Sequence, residues 1–261
     1  LQHSTDGQTF IGDRTGYYSL HAWVKGRQIS IDERERTLAE HSDLVIDLGR
    51  LIGRFHRLTA AMTTPDSIPS IEVDRMLMAP KGTARSIRRG RPPRVFKAHQ
   101  LRFRLRKSEF DWWILDHLPT LYQQAERLAE MSTDGILRAS DIVVAHHDVN
   151  WENLIFGEDF EPLALLDFDN AVRLQRDIDV GLAAAVLIGP NAERLQSFLS
   201  SYADAAQHDV DSSMVAVGMQ VKCARSILWS IDSYLSGRVA DPTMIATWCA
   251  HLYECLELTS A

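Results

Sequence analysis

The sequence predicts an α+β protein in which a short β segment precedes a mainly helical body with one inserted β-hairpin. Residues 1–26 combine turn signals with a run of strand-forming residues at 17–24, which indicates β structure. From Ile31 onward apolar residues recur at spacings of three and four, which indicates helices with one buried face. Short apolar runs between residues 142 and 166 interrupt that pattern and predict the inserted strands.

The predicted elements follow in order along the chain. Helical spacing predicts a first long helix near residues 44–58 and an aromatic-rich helix at 110–131 that bends at Pro119. Three short strands are predicted at 142–145, 153–156 and 163–166, and a turn joins the last two. Later helices are predicted from near Asn191, over 213–236 with Gly237 as the stop, and after Asp241 with Pro242 in the first turn.

The net charge of -7 conceals a strongly basic segment at residues 81–107. This segment holds 11 Lys and Arg residues and no acid, so the rest of the chain carries -18. A nucleic-acid or membrane patch is one interpretation of such a segment. Because Gly82, Gly90 and Pro92-Pro93 favour a loop, we instead predict a solvated, mobile insertion over an acidic body, with no nucleic-acid or membrane partner.

The composition favours a cytoplasmic protein. No apolar run reaches the roughly 18 residues that span a bilayer, and no secretion signal is recognisable. Cys223, Cys249 and Cys255 have neither metal-ligand nor redox spacing, so we expect free thiols in a reducing compartment.

A polar, ionisable loop at residues 146–153 lies between two predicted strands, which would hold its ends rigidly. Asn153 and the later Asp167 lie at opposite ends of one predicted hairpin, so folding would bring an amide oxygen and a carboxylate together. Oxygen ligands of this kind suit Mg²⁺, which takes one or two side chains plus waters and substrate phosphates. Asp148 would face those phosphates from the acceptor side and take the proton of a hydroxyl as a phosphoryl group moves.

The pattern His-x-Asp-x-x-x-x-Asn at residues 146–153, followed after a short hairpin by Asp167-Phe168-Asp169, resembles the aminoglycoside phosphotransferase and choline kinase family. That family is a branch of the protein-kinase-like fold. The resemblance implies transfer of the γ-phosphate of ATP or GTP to a hydroxyl of a small molecule, such as an aminoglycoside or an amino alcohol. It further implies Mg²⁺ as cofactor and a role in antibiotic resistance. It covers residues 17–186.

The resemblance assigns roles position by position. Asp148 matches the catalytic aspartate, and His146 matches the histidine that braces the catalytic loop. Asn153 and Asp167 match the two metal ligands.

Three further residues belong to the same comparison. Asp179 matches an aspartate that caps a helix and supports the catalytic loop. Asp169 is either a metal neighbour or a helix-cap acid. His56, at the end of the helix predicted near 44–58, is interpreted as a satisfied core histidine.

Residues 20–27 resemble the hinge strand of the family, whose backbone at His21, Ala22 and Trp23 would contact the nucleotide base. Too little chain precedes this hinge for the family's phosphate-covering loop, strand lysine and helix glutamate. We therefore predict that residues 1–27 are a remnant of the N-terminal nucleotide lobe. Residues 28–261 would form the helical C-terminal lobe with the catalytic and metal-binding loop.

The sequence defines the acceptor side less sharply. His147 stands where the family usually has a small residue, commonly glycine, and it is a candidate for substrate binding together with Asn150 and Trp151. Trp151 is equally interpretable as a packing residue. We expect the acceptor pocket among the helices after residue 179 and the aromatic helix near residue 112. The acidic body favours a cationic acceptor, although solubility explains the same charge.

Two other functions stay open at this point. A chain without most of the nucleotide lobe would also fit a catalytically impaired kinase-like relic that binds a ligand or a partner. A metal-dependent phosphohydrolase would use His147 and Asp148 as a metal pair with His56 and Asp167. Such sites are usually built on helices, whereas this loop follows a β-branched run.

Overall fold

The computed structural model describes residues 11–12, 17–18, 23–61, 68–89, 97–131, 142–239 and 242–260. Two short strands, β1 (Ile11–Gly12) and β2 (Tyr17–Tyr18), form an antiparallel pair near the start of the chain. Most of the predicted β segment at 1–26, including His21 and Ala22 of the predicted hinge, lies outside the described residues.

A first block of helices precedes the inserted strands. It contains α1 (Arg34–Glu40), α2 (Leu44–Ala60), α3 (Val73–Arg89), α4 (Lys97–Phe103) and α5 (Glu109–Glu130). The predicted helices at 44–58 and 110–131 are confirmed as α2 and α5. Helix α5 begins with a capping box, because the Ser108 hydroxyl accepts the Asp111 N–H and the Asp111 carboxylate accepts the Ser108 N–H.

Helix α3 shows that the predicted loop in the first half of the basic segment is wrong. The helix contacts α5 and α8 and buries residues at helical spacing, namely Val73, Met76, Leu77, Ala84 and Ile87. Burial of this stripe outweighs the local cost of Pro80 and Gly82 within the helix. Residues 90–96, which include Pro92-Pro93, lie outside the described part of the chain.

The inserted strands form two antiparallel pairs. Strands β4 (Leu154–Phe156) and β5 (Pro162–Leu165) make the predicted hairpin. Strand β3 (Ile142–Ala145) pairs with β6 (Val172–Gln175), which the sequence did not predict. Ala145 lies opposite Val172, and Leu154 lies opposite Leu165. The segments 146–153 and 166–171 therefore run beside each other between the two pairs.

The chain then returns to helices, as predicted. These are α6 (Arg176–Leu187), α7 (Ala192–Ala206), α8 (Ser212–Leu235) and α9 (Thr243–Ser260). The Asn191 side chain accepts the Arg194 N–H and caps α7, which confirms the predicted start of that helix. Asp241, the predicted cap of α9, lies outside the described residues.

Helices α6 and α8 approach each other through a pair of glycines. A Cβ atom on Gly181 would overlap the Val215 carbonyl oxygen, and one on Gly218 would overlap the Ile178 carbonyl oxygen. The added Cβ on Gly181 would also lie 2.9 Å from the Gly218 Cα, and the one on Gly218 would lie 3.0 Å from the Gly181 Cα. This close crossing fixes where α8 lies relative to α6 and to the loop that precedes α6.

All three cysteines are free and buried. No helix within the described ranges has the length and apolar character needed to cross a membrane.

The glycine contact makes a prediction about stability. We expect Gly181→Ala to lower the free energy of unfolding by about 3 kcal/mol, because the added methyl group overpacks the helix crossing. Gly82→Ala is the matched control, since Gly82 is exposed in α3 with nothing within 4 Å of an added Cβ. It should raise the free energy of unfolding by about 1 kcal/mol through helix propensity. Urea unfolding measures both, and a neutral Gly181→Ala would contradict the tight crossing.

Candidate active site

The centre of the candidate site is Asp148, in the loop between β3 and β4. Its carboxylate is partly exposed. One oxygen, Oδ1, accepts a hydrogen bond from the Lys222 ammonium on α8 at 3.4 Å. The other, Oδ2, accepts the Asn170 amide at 3.3 Å. The two contacts orient the carboxylate. Because both are long, each oxygen keeps further acceptor capacity.

Two asparagines shape the loop around the Asp148 backbone. The Asn150 side chain accepts the Asn153 N–H at 3.0 Å and donates its amide to the Asp148 carbonyl oxygen at 3.2 Å. The Asn153 amide nitrogen donates to the same carbonyl at 3.0 Å. Since the amide nitrogen of Asn153 is engaged, its Oδ1 remains as an acceptor. Asn153 itself ends a 3-10 turn, one residue before the strand in which it was predicted.

The hairpin brings Asp167 next to Asn153. Leu166 donates its N–H to the Asn153 carbonyl at 2.8 Å, immediately before Asp167. Asp167 is exposed and has a left-handed backbone, with φ 62° and ψ 72°. Such a conformation costs a non-glycine residue of order 1–3 kcal/mol, and strain of this kind concentrates at functional sites. Asp169 is also exposed, in the 3-10 turn Phe168–Asn170.

His146 acts on this region from inside the core. Its side chain is fully buried, and Nε2 donates to the Leu166 carbonyl at 2.7 Å. Its ring packs edge-on against Phe168, with centroids 4.7 Å apart. His146 therefore braces the backbone on either side of Asp167, and its burial keeps it out of contact with any substrate.

A buried carboxylate, Asp179, ties the loop to the helical body. Its Oδ1 accepts the His147 N–H at 3.1 Å, and its Oδ2 accepts Nε2–H of His56 at 3.0 Å. The Tyr202 hydroxyl lies 2.8 Å from Nδ1 of His56. Because Nε2 carries the ring hydrogen that is donated to Asp179, Nδ1 is the acceptor and the Tyr202 hydroxyl is the donor. Burial raises the pKa of Tyr202, which keeps this hydroxyl protonated. Asp179 lies in the first turn of α6, whose N-cap is Gln175, so the predicted helix-capping role is wrong.

A cleft of about 610 Å³ opens beside Asp148. His147, Asn150 and Asn170 line it on the loop side, whereas the opposite wall comes from α6, α8 and α9. Helix α5 does not line the cleft. Its Trp113 stacks on His117 and on Phe110, whereas Trp112 contacts Lys107. A cleft thus lies where the acceptor pocket was expected among the helices after residue 179, but the aromatic helix near residue 112 does not line it.

A family model for the phosphotransferase enzyme family, APH, matches residues 3–242. The chain belongs to this family.

Solved members of related families share the fold of this phosphotransferase-family chain. A spectinomycin phosphotransferase matches at 11% identity and TM-score 0.64, over 99% of this chain and 75% of that one. An aminoglycoside phosphotransferase from Alicyclobacillus acidocaldarius matches at 15% identity and TM-score 0.67, over 99% and 74%. A choline kinase from Cryptosporidium parvum matches at 14% identity and TM-score 0.56, over 96% and 72%. The predicted protein-kinase-like α+β fold is confirmed. No curated protein matches the sequence.

The backbone explains the unusual residue at position 147. His147 has φ 66°, in the left-handed region that glycine adopts most easily. This backbone fits the small residue that the resemblance leads one to expect at position 147. Here the imidazole instead lines the cleft.

Trp151 and Trp23, predicted to contact the substrate and the nucleotide, have opposite exposures in the structure. The Trp151 ring is 1% exposed, stacks on Phe156 and donates Nε1–H to the Val186 carbonyl, so it packs in the core. Trp23, at the end of the predicted hinge, is 92% exposed. A few residues later, Arg27 exchanges two backbone hydrogen bonds with Phe156 and anchors this segment to β4.

Sequence reasoning missed Asn170 and Lys222. Asn170 directly follows Asp167-Phe168-Asp169, so its place in the turn was the available signal. Lys222 is 74 residues from Asp148 and reaches it only through the α6–α8 crossing, for which the sequence gives no local signal.

The phosphohydrolase alternative loses one of its proposed ligands, His56. Both ring nitrogens of His56 are hydrogen-bonded, which confirms the interpretation as a satisfied core histidine. Within the described ranges, no three His, Cys, Asp or Glu side chains are arranged to hold a metal.

Burial of His147 makes a prediction about pH. Desolvation lowers the pKa of His147, and Arg225 and Lys222 lower it further against the opposite effects of Asp179 and Asp148. The unfolded chain then binds the proton first, so this contribution to stability is complete above pH 6.5 and is lost as the pH falls below about 6.5.

We expect the free energy of unfolding to drop more between pH 7.5 and pH 5.5 in the wild type than in His147→Asn. Asparagine tolerates the left-handed backbone, so the variant mainly removes the titrating ring. Urea titrations at both pH values give the comparison, and equal drops would mean that the folded state does not suppress protonation of His147.

Proposed function

We propose that this chain transfers the γ-phosphoryl group of ATP or GTP to a hydroxyl of a small molecule in a magnesium-dependent reaction. The observation that supports this most is an oriented, partly exposed carboxylate, Asp148, beside a cleft and beside the paired ends of the β4–β5 hairpin. A phosphoryl-transfer enzyme needs mainly positioning and electrostatic stabilisation, and a braced loop of this kind supplies positioning.

The donors at the end of the hairpin fit a magnesium ion. We propose Asn153 and Asp167 as ligands through the free amide oxygen and the exposed carboxylate. Two oxygen ligands match the one or two side chains by which proteins usually hold Mg²⁺. When bound, the ion would neutralise the phosphate oxygens of the nucleotide. Asp169, two residues further on, is a proposed neighbour of this site.

In the proposed reaction Asp148 acts as the general base. The acceptor hydroxyl gives its proton to the carboxylate as its oxygen bonds to the γ-phosphorus, and the bond to the β-phosphate oxygen breaks to release the nucleoside diphosphate. Lys222 and Asn170 hold the carboxylate in place for this step. The hydrogen bond from His146 to the Leu166 carbonyl holds the backbone next to Asp167. The hydrogen bond from the His147 N–H to Asp179 holds the loop.

The nucleotide would lie on the side of the N-terminal segment. We propose that residues 1–27 belong to that side, with base contacts from the backbone of His21, Ala22 and Trp23, and that residues 28–261 form the catalytic body. The spectinomycin phosphotransferase was solved with ADP and spectinomycin and also with AMP, which supports a nucleotide and a small molecule as ligands. The chain spans about three quarters of that protein, so its activity on its own is part of the proposal.

The first test of this function is Asp148→Asn. Removing the base should lower kcat by about 10²- to 10⁴-fold and leave the affinity for the magnesium nucleotide unchanged. The screen measures nucleoside diphosphate release with a panel of hydroxylated amino sugars, amino alcohols and hydroxy acids. Asp159→Asn is the matched control, since Asp159 is exposed at the far end of the same hairpin. Full turnover in Asp148→Asn would end the assignment of the base.

The second test concerns the metal. Asp167→Asn should weaken magnesium-dependent nucleotide binding at least about tenfold, because it removes a charged oxygen ligand. Calorimetric titration of the nucleotide with and without Mg²⁺ measures this difference, and Asp169→Asn is the comparison. A larger loss in Asp169→Asn would move the ligand to Asp169. No binding of the magnesium nucleotide to the wild-type chain would instead favour a non-catalytic ligand-binding relic.

A further inference from the structure

We propose that the acceptor carries an anionic group, a carboxylate or a phosphate, attached to an apolar or aromatic body, and that Arg225 recognises this group. The inference rests on the proposed function and deepens it by naming the substrate class. It is carried by the charges and rings that line the cleft beside Asp148.

The cleft lies on the acceptor side of the site. Asp148 lines it, but Asn153 and Asp167, the proposed metal ligands, do not. A molecule in the cleft would therefore meet the proposed base without occupying the place of the metal-bound phosphates. The cations in the cleft wall are then available to the acceptor.

The Lys and Arg residues described in the cleft lining lie one turn apart on α8. Lys222 and Arg225 are at positions i and i+3, which places them on the same face of the helix, and both line the cleft. Lys222 is already paired with Asp148. Arg225 is exposed and has neither a hydrogen bond nor an ion pair with another residue in the described part of the chain. Its planar guanidinium suits bidentate recognition of a carboxylate or a phosphate.

Among the described residues, the cleft has too few open acids to hold a polycation. Its lining contains the carboxylates of Asp148 and Glu152, and that of Asp148 is engaged by Lys222. Recognition of several ammonium groups would need several open acids, and an ammonium beside Lys222 and Arg225 would be repelled. His147 adds no negative charge to the lining.

Most of the remaining wall is apolar or aromatic, and Ser226 and Ser230 add two hydroxyl groups to it. Trp229 follows Arg225 by one turn on α8 and is 59% exposed, and Trp248 lies on α9. Leu182, Val186 and Ile245 complete this wall. Such a surface favours a ring or hydrocarbon body over a densely hydroxylated amino sugar.

The test compares two probes that share a benzyl alcohol body and carry opposite charges. 4-(Hydroxymethyl)benzoate and 4-(aminomethyl)benzyl alcohol share a ring and a hydroxymethyl group, and calorimetry measures their affinity for the full chain. We expect the benzoate to bind the wild type at least about tenfold more tightly than the amine. Arg225→Glu should weaken the benzoate by about 10- to 100-fold, as expected for loss of a charged hydrogen bond, and leave the amine no weaker.

Matched variants separate the local contact from the change in net charge. Arg127→Glu makes the same charge change on α5, in a different groove, and should leave both affinities unchanged. Arg225→Gln, which keeps a polar side chain on an exposed helical face, should give a smaller loss than Arg225→Glu. Thermal melts of each variant confirm that it is folded.

Three results would overturn the inference. They are a wild type that binds the amine as tightly as the benzoate, a benzoate affinity unaffected by Arg225→Glu, and no saturable binding of the benzoate at all. Phosphorylation of cationic acceptors in preference to anionic ones would also overturn it, while leaving the proposed phosphotransferase function intact. Conversely, selective benzoate binding without phosphoryl transfer would support the anionic site and count against the function.

Discussion

The buried carboxylate of Asp179 is the contact on which the geometry of the site depends. It accepts one hydrogen bond from the His147 backbone N–H and one from the His56 ring, which in turn accepts a hydrogen bond from the Tyr202 hydroxyl. Four parts of the molecule meet there: the loop of residues 146–153, α2, α6 and α7. Removing one partner of a buried charged pair typically costs several kcal/mol, because the remaining groups are left unsatisfied. The loop is therefore held in place by a network that no substrate touches.

This anchor makes the local strain possible. His147 and Asp167 both adopt left-handed backbones that a non-glycine residue avoids when it is free. At His147 the hydrogen bond to Asp179 holds the turn, and at Asp167 the bond from His146 to Leu166 does so one residue earlier. The α6–α8 glycine crossing adds the third constraint, since it brings Lys222 within reach of Asp148. Part of the free energy of folding therefore offsets the backbone strain that sets the directions of the Asp148 and Asp167 carboxylates.

Local patterns in the sequence were enough for the elements that carry their own signal. The apolar runs around the 146–153 loop predicted β3 and the β4–β5 hairpin, and the resemblance located Asp148, Asn153 and Asp167 in the segments beside these strands. Strand β6 was missed because its four residues include Arg173 and Gln175 and form no apolar run. Helix α3 was missed because Gly82 and the prolines outweighed its apolar stripe in a local interpretation, although long-range packing decides the fold there. Contacts such as Lys222 to Asp148 are tertiary and leave no trace in spacing.

The charge of the whole chain and the charge of the cleft lead to opposite expectations for the acceptor. The acidic body argues for a cationic molecule, but charges separated by more than about 8 Å are largely screened at physiological salt. The total of -18 outside the basic segment therefore acts on encounter and solubility more than on recognition. A ligand in the cleft experiences its immediate neighbours, where Arg225 has no partner among the described residues and Asp148 is paired with Lys222 at 3.4 Å. The charge of a bound acceptor is therefore set by the nearby Arg225 rather than by the distant acids of the body.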